Sequence, residues 1–176
     1  MTATPELAPV REALAKHPGV ILESLARQHG VSYQAALTCL PDDMQTQLPG
    51  SCFGDAMADM TDWGDVVVIV HTEDLVMEVK GPLPPGRFGS GFYNLEAELG
   101  LSGHIRAERC GAVAFVRRPF MGKDSVSVQF LNQEGGCMFK VFVGRDAEGR
   151  LNPGQIERWE QLRTRRLGRA DRASAA

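Results

Sequence analysis

Residues 125 to 143 leave this chain little conformational choice. Ser125-Val126-Ser127-Val128-Gln129-Phe130 alternates polar and apolar, Gln133-Glu134-Gly135-Gly136 supplies a turn, and Cys137-Met138-Phe139-Lys140-Val141-Phe142-Val143 returns. Successive side chains in a strand point to opposite faces, so the pattern specifies an antiparallel hairpin with one face buried. It closes a strand-rich region from about Phe53 to Asp146. A second hairpin is expected from Asp65–His71 and Leu75–Val79 about Thr72-Glu73-Asp74, with further strands at 91–97, 103–108 and 112–117. The longest apolar run, Val66-Val67-Val68-Ile69-Val70, is five residues, enough for a buried strand. A membrane span needs about twenty, so no membrane insertion is expected.

The flanks read differently. Residues 1–48 form a helical head. Leu7, Val10 and Leu14 line a first helix that His17-Pro18-Gly19 ends. Leu22, Leu25 and Ala26 line a second before Gly30, and Ser32 stands as N-cap to a short third helix stopped by Pro41. A C-terminal helix over 153–167 carries Ile156, Trp159 and Leu162 on one stripe. Residues 168–176, small, polar and basic, are expected to be a disordered tail. The class is α+β: N-terminal helices, a large antiparallel sheet of about seven to nine strands, and a closing helix, forming one domain over 1–167.

The composition is that of an ordinary globular domain, with 176 residues, 43% hydrophobic, and a net charge of −3. Cys39, Cys52, Cys110 and Cys137 form no CxxC pair, and the first residues show no secretory pattern, so reduced thiols and a cytoplasmic location are expected. Phosphate-cradling GxxxxGK[ST], GxSxG, HExxH and CxxCH motifs are absent. Leu25 to Leu37 has the cadence of a helix-turn-helix, but its second helix offers Tyr33, Gln34 and Thr38 and no cation. The head carries Arg11, Lys16 and Arg27 against Glu6, Glu12, Glu23, Asp42 and Asp43. Phosphate would repel it, which favours a packing or dimerisation unit over nucleic-acid binding.

Of the four histidines, His17 and His29 read as helix C-terminal residues. His71 ends the most apolar strand, His104 lies near the start of another, and Tyr93 sits in a third. Imidazole and phenolate both ligate haem iron, although spacing alone does not bring these groups together.

Longer motifs are more specific. Gly91-Phe92-Tyr93-Asn94-Leu95, Gly100 to Glu108, Arg118-Pro119-Phe120-Met121-Gly122 and Met138 to Asp146 resemble the intracellular haem-utilisation carriers known as HutX or ChuX. The similarity runs from about Val10 to Leu162. The resemblance implies an antiparallel-sheet homodimer, similar in outline to one copy of a larger, internally duplicated haem protein. It also implies cytoplasmic binding of imported haem as cargo and its delivery to a haem-degrading enzyme. The family's histidines match His71 and His104, and a tyrosine used by some members matches Tyr93 or yields to the neighbouring aromatic. Arg106, with Arg87 and Arg118, is a candidate cation for the propionate rim or a surface charge, and Met121 is a candidate sulfur ligand or a packing residue. A carrier must release its load, so a shallow, exchangeable site centred on His104 is expected. Two other readings compete: a haem-degrading or iron-releasing enzyme, and a haem-responsive DNA-binding regulator.

Overall fold

The computed structural model describes residues 6–98 and 100–174, with side chains as far as Arg165. Its centre is a six-stranded antiparallel sheet in the order β1-β7-β8-β9-β2-β3, comprising β1 Gln45–Pro49, β2 Asp65–His71, β3 Val76–Pro82, β7 Cys110–Phe120, β8 Lys123–Asn132 and β9 Cys137–Phe142. A smaller sheet, β4 Gly86–Gly89, β5 Phe92–Leu95 and β6 Gly103–Ile105, stands apart from it. The strand count falls within the expected range, but the strands divide between two sheets.

Strand parity assigns the two faces of the large sheet. One face collects Val66, Val68, Val113, Phe115, Val126, Val128, Phe130, Phe139 and Val141. Against it pack α4 Phe53–Met60, α5 Pro153–Ser174 and Tyr93 of the small sheet. Phe53 meets Tyr93, Phe130 and Phe139 edge-on at 5.1–6.4 Å. The stripe of α5 packs here as its spacing requires, with Trp159 Nε1 donating to the Ser127 carbonyl at 2.9 Å. The opposite face carries the head: α1 Ala8–Lys16, α2 Leu22–Gln28 and α3 Tyr33–Thr38. Its helices rest on Ala112, Ala114, Val116 and Leu131, where small side chains let them approach closely. Ser32 caps α3 by accepting from the Ala35 amide at 3.1 Å, and Gly30 takes φ +62 after α2. His17 and His29 close α1 and α2.

Four elements depart from expectation. Helix α4 lies inside the region read as strands, with Phe53, Ala56, Met57 and Met60 spaced to bury one face. Strands β1 and β4 are short and carry no clean alternation. The last helix runs on to Ser174 rather than ending near 167; Arg, Leu and Ala favour the helix, and Gly168 alone does not break it. Residues 175 and 176 of the expected tail lie outside the described residues. Among the described residues no helix is long and apolar enough to cross a membrane.

Candidate functional site

A cleft of about 360 Å³ opens where the small sheet meets the apolar face of the large one. Val68, Val70, Leu83, Leu95, Leu101 and Met138 form its walls. Met138 reaches it through a bulge: the register jumps from Phe130↔Phe139 to Leu131↔Cys137, leaving Met138 as the extra residue. The volume lies at the lower end of the ~300–1,000 Å³ typical of small-molecule sites. Among the described residues no group of three or more His, Cys, Asp or Glu could hold a bare metal ion.

His104, on the edge strand β6, is exposed at the rim of this cleft, with Arg106 two residues on. Register pairs His104 with Asn94 across β5 and β6. Their side chains meet, His104 Nδ1 lying 2.6 Å from Asn94 Oδ1. The Phe92 ring centroid is 5.7 Å from that of His104, and the Arg106 guanidinium lies over Phe92 at 4.9 Å. Phe92, Asn94, His104 and Arg106 therefore form one group, combining a nitrogen donor, an aromatic face and a cation beside an apolar cleft.

Tyr93 points the other way. It is 3% exposed, edge-on to Phe53 at 5.4 Å and to Phe88 at 5.0 Å. Burial raises its phenol above the ordinary value, partly offset by a hydrogen bond with the Gly86 backbone. Gly86 is required beneath the ring: a Cβ there would stand 2.3 Å from a Tyr93 ring carbon. The neighbouring Phe92 is the aromatic beside His104.

His71 lies on the other face of the large sheet. Val68 and Val70 face the cleft, so Ile69 and His71 face away, into a separate cavity of about 250 Å³ beneath the head. There His71 Nδ1 is 3.2 Å from Glu23 Oε1, and the same carboxylate accepts from Lys140 Nζ. Burial pulls the Glu23 carboxyl up, but Lys140, the Glu23 amide and His71 together hold it below its usual value. Within one chain, His71 and His104 are on opposite sides of a sheet and do not converge.

The remaining cations are committed elsewhere. Arg118, read as a rim or surface charge, is buried and donates through Nη1 to the Pro18 and Val20 carbonyls at 2.6 and 2.8 Å, fastening the head to the sheet. Arg87 pairs with Glu96 at 2.6 Å. Met121 is not a packing residue: it is 83% exposed at the β7–β8 turn, where it and Gly122 take φ +50 and +76. Tyr33, offered above for base contacts, is buried and donates to Gln129 Oε1 at 2.7 Å. Burial pushes the Cys110 thiol up to about 11 and that of Cys137 to about 12, which keeps both unreactive.

Sequence reasoning gave Asn94 no role. Its cross-strand partner is ten residues away through an irregular connection, and no turn motif announces that register.

A family model described as "Haem utilisation ChuX/HutX" matches residues 46–162. The chain is 32% identical over 154 residues to the intracellular heme transport protein HutX of Vibrio cholerae, covering 87% of this chain and 80% of that protein. A crystal structure of an Erwinia carotovora protein superposes with a TM-score of 0.86 at 38% identity, over 89% of this chain and 98% of that one. The crystal structure of ChuX does so with 0.84 at 35% identity, over 90% and 98%. At 16% identity the haem-binding protein PhuS of Pseudomonas aeruginosa shares the fold alone, with a TM-score of 0.72 over 90% of this chain and 47% of PhuS.

Proposed function

Because the chain belongs to the haem-utilisation ChuX/HutX family, we propose that it is an intracellular haem carrier. It binds haem as cargo, works as a homodimer, and hands the haem to a haem-degrading enzyme. The relative from Vibrio cholerae is named an intracellular heme transport protein, and a related solved structure is titled the heme binding protein ChuX. The observation that carries the reading is His104, exposed and held by Asn94 at the rim of an apolar cleft.

The chemistry fits that cargo. A porphyrin needs apolar contact for its ring, an axial donor for iron and a cation near its propionates. The cleft walls supply the first, His104 the second and Arg106 the third. The cleft is open, so much of the ring stays accessible to an acceptor. A single axial ligand at such a site suits transfer better than an enclosed pair of histidines. His71 and Tyr93, the other two ligand candidates, serve in this reading to fasten the head and to fill the core.

Carrier and degrading enzyme separate in one experiment. The haemin-loaded protein is given a reductant in air and then an apo-acceptor such as apomyoglobin. A carrier keeps its Soret band until the acceptor is added, and the band then moves to the acceptor. Loss of the band before that addition, with a linear tetrapyrrole released, overturns the carrier reading in favour of the enzyme.

A further inference from the structure

We propose that Asn94 is a positioning residue that locks His104 in the tautomer with hydrogen on Nδ1 and an open lone pair on Nε2, so that the ring is ready for iron before haem arrives. This rests on the reading of His104 as the haem ligand.

The argument is one of donor and acceptor accounting. The Asn94 amide nitrogen donates to two carbonyls of β4, Arg87 at 3.2 Å and Gly89 at 3.1 Å. A primary amide has two N–H groups, and both are thereby used. The orientation of the amide is fixed by these bonds, leaving Oδ1 as the atom that faces the imidazole. Oδ1 only accepts, so the 2.6 Å contact requires a hydrogen on His104 Nδ1. A neutral imidazole carries one N–H, which leaves Nε2 as a bare donor to a metal. Among the described residues no other hydrogen bond to the His104 ring is present.

Two further contacts hold the plane of the ring. Phe92 stands at 5.7 Å from it, tilted by 59°, and the backbone pairing of β5 with β6 fixes where His104 starts. The β4 carbonyls orient Asn94, Asn94 orients His104, and His104 meets the iron. Such outer partners of metal-binding histidines fix both the tautomer and the ring direction, and removing one typically costs about tenfold to a hundredfold in affinity.

The direct test needs no haem. ¹⁵N NMR of the wild-type apoprotein, recorded at mildly alkaline pH, should show His104 with Nδ1 protonated and Nε2 unprotonated. In Asn94→Ala the two forms should mix. The second arm uses haemin-loaded protein. Asn94→Ala should release haem to apomyoglobin about tenfold to a hundredfold faster than wild type. After anaerobic reduction of the bound haem with dithionite, Asn94→Asp should raise the iron–histidine stretching frequency in resonance Raman spectra, because a carboxylate draws the Nδ1 proton more strongly. A purely structural asparagine would move neither the tautomer nor that frequency. An Nε2–H tautomer in the wild-type apoprotein overturns the inference, and that measurement stands even if a variant fails to fold. If Asn94 variants leave spectrum and release unchanged while His104→Ala alters both, the inference fails and the carrier reading survives. If His104→Ala alters neither, His104 is not the ligand and both statements about the site fall.

Discussion

On one face of the six-stranded sheet, Phe53, Phe130, Phe139, Val66 and Val141 interlock without a charge among them. On the other face, beneath the head, Glu23, Lys140, His71 and Arg118 share a cavity with Ser125, Ser127 and Gln129. The first face is held by apolar burial, the second by a charged network that exists only when the head is seated. The comparison separates the two strand-end histidines. His104 stands beside the apolar face with one nitrogen fixed and the other open, while His71 is half-buried against a carboxylate. A histidine that holds the head to the sheet is poorly placed to release cargo.

The largest effects should come from breaking either face at its centre. Phe53→Ala removes the ring that three aromatic neighbours share and should cost about 3–5 kcal/mol. Lys140→Met should cost about the same, because it leaves Glu23 buried without its cation. For a chain of this size that is a fall in Tm of roughly 6–20 °C by calorimetry. The two faces then part company. Glu23→Leu combined with Lys140→Met should recover most of the second loss, since replacing both members of a buried pair is often neutral. No polar partner substitution rescues the first. Failure of the double variant to recover would mean that the network does more than satisfy itself.

A smaller effect is expected in acid. The Glu23 carboxyl sits below its ordinary value of 4.5 in the folded chain. Its stabilisation is therefore complete above that value and is lost as pH falls below it, through the lowered folded value. Denaturant midpoints measured from neutral pH downward should fall more steeply in the wild type than in the Glu23→Leu, Lys140→Met variant. Equal slopes would remove the pair from the account. The smallest effect belongs to Tyr93→Phe. It gives up one hydrogen bond at Gly86, worth about 1 kcal/mol, and should leave the haemin spectrum of the loaded protein unchanged. A changed spectrum would return Tyr93 to the site.

Much of the large sheet was legible because β8 and β9 alternate cleanly and the β2–β3 run is bounded by turn residues. The faces of β2 were not. Val66 to Val70 is apolar at both parities, so although His71 must share a face with Ile69, nothing in the run says which of the two faces meets the apolar core. Helix α4 was hidden by its two turns, its glycine and the absence of a capping side chain at Cys52. The division into two sheets is a matter of long-range partners, which local alternation does not encode. Of the site, His104 and Arg106 were legible as residues. Asn94 became visible only when register set it opposite His104 and β4 claimed its amide hydrogens.

The central claim is that haem is bound on the apolar face through His104 and not beneath the head through His71. A haemin titration followed by the Soret band, run on wild type, His104→Ala and His71→Ala, tests it most directly. The account predicts saturable binding by the wild type, weakened and spectrally shifted in His104→Ala and preserved in His71→Ala. Preserved binding in His104→Ala with loss in His71→Ala would contradict it.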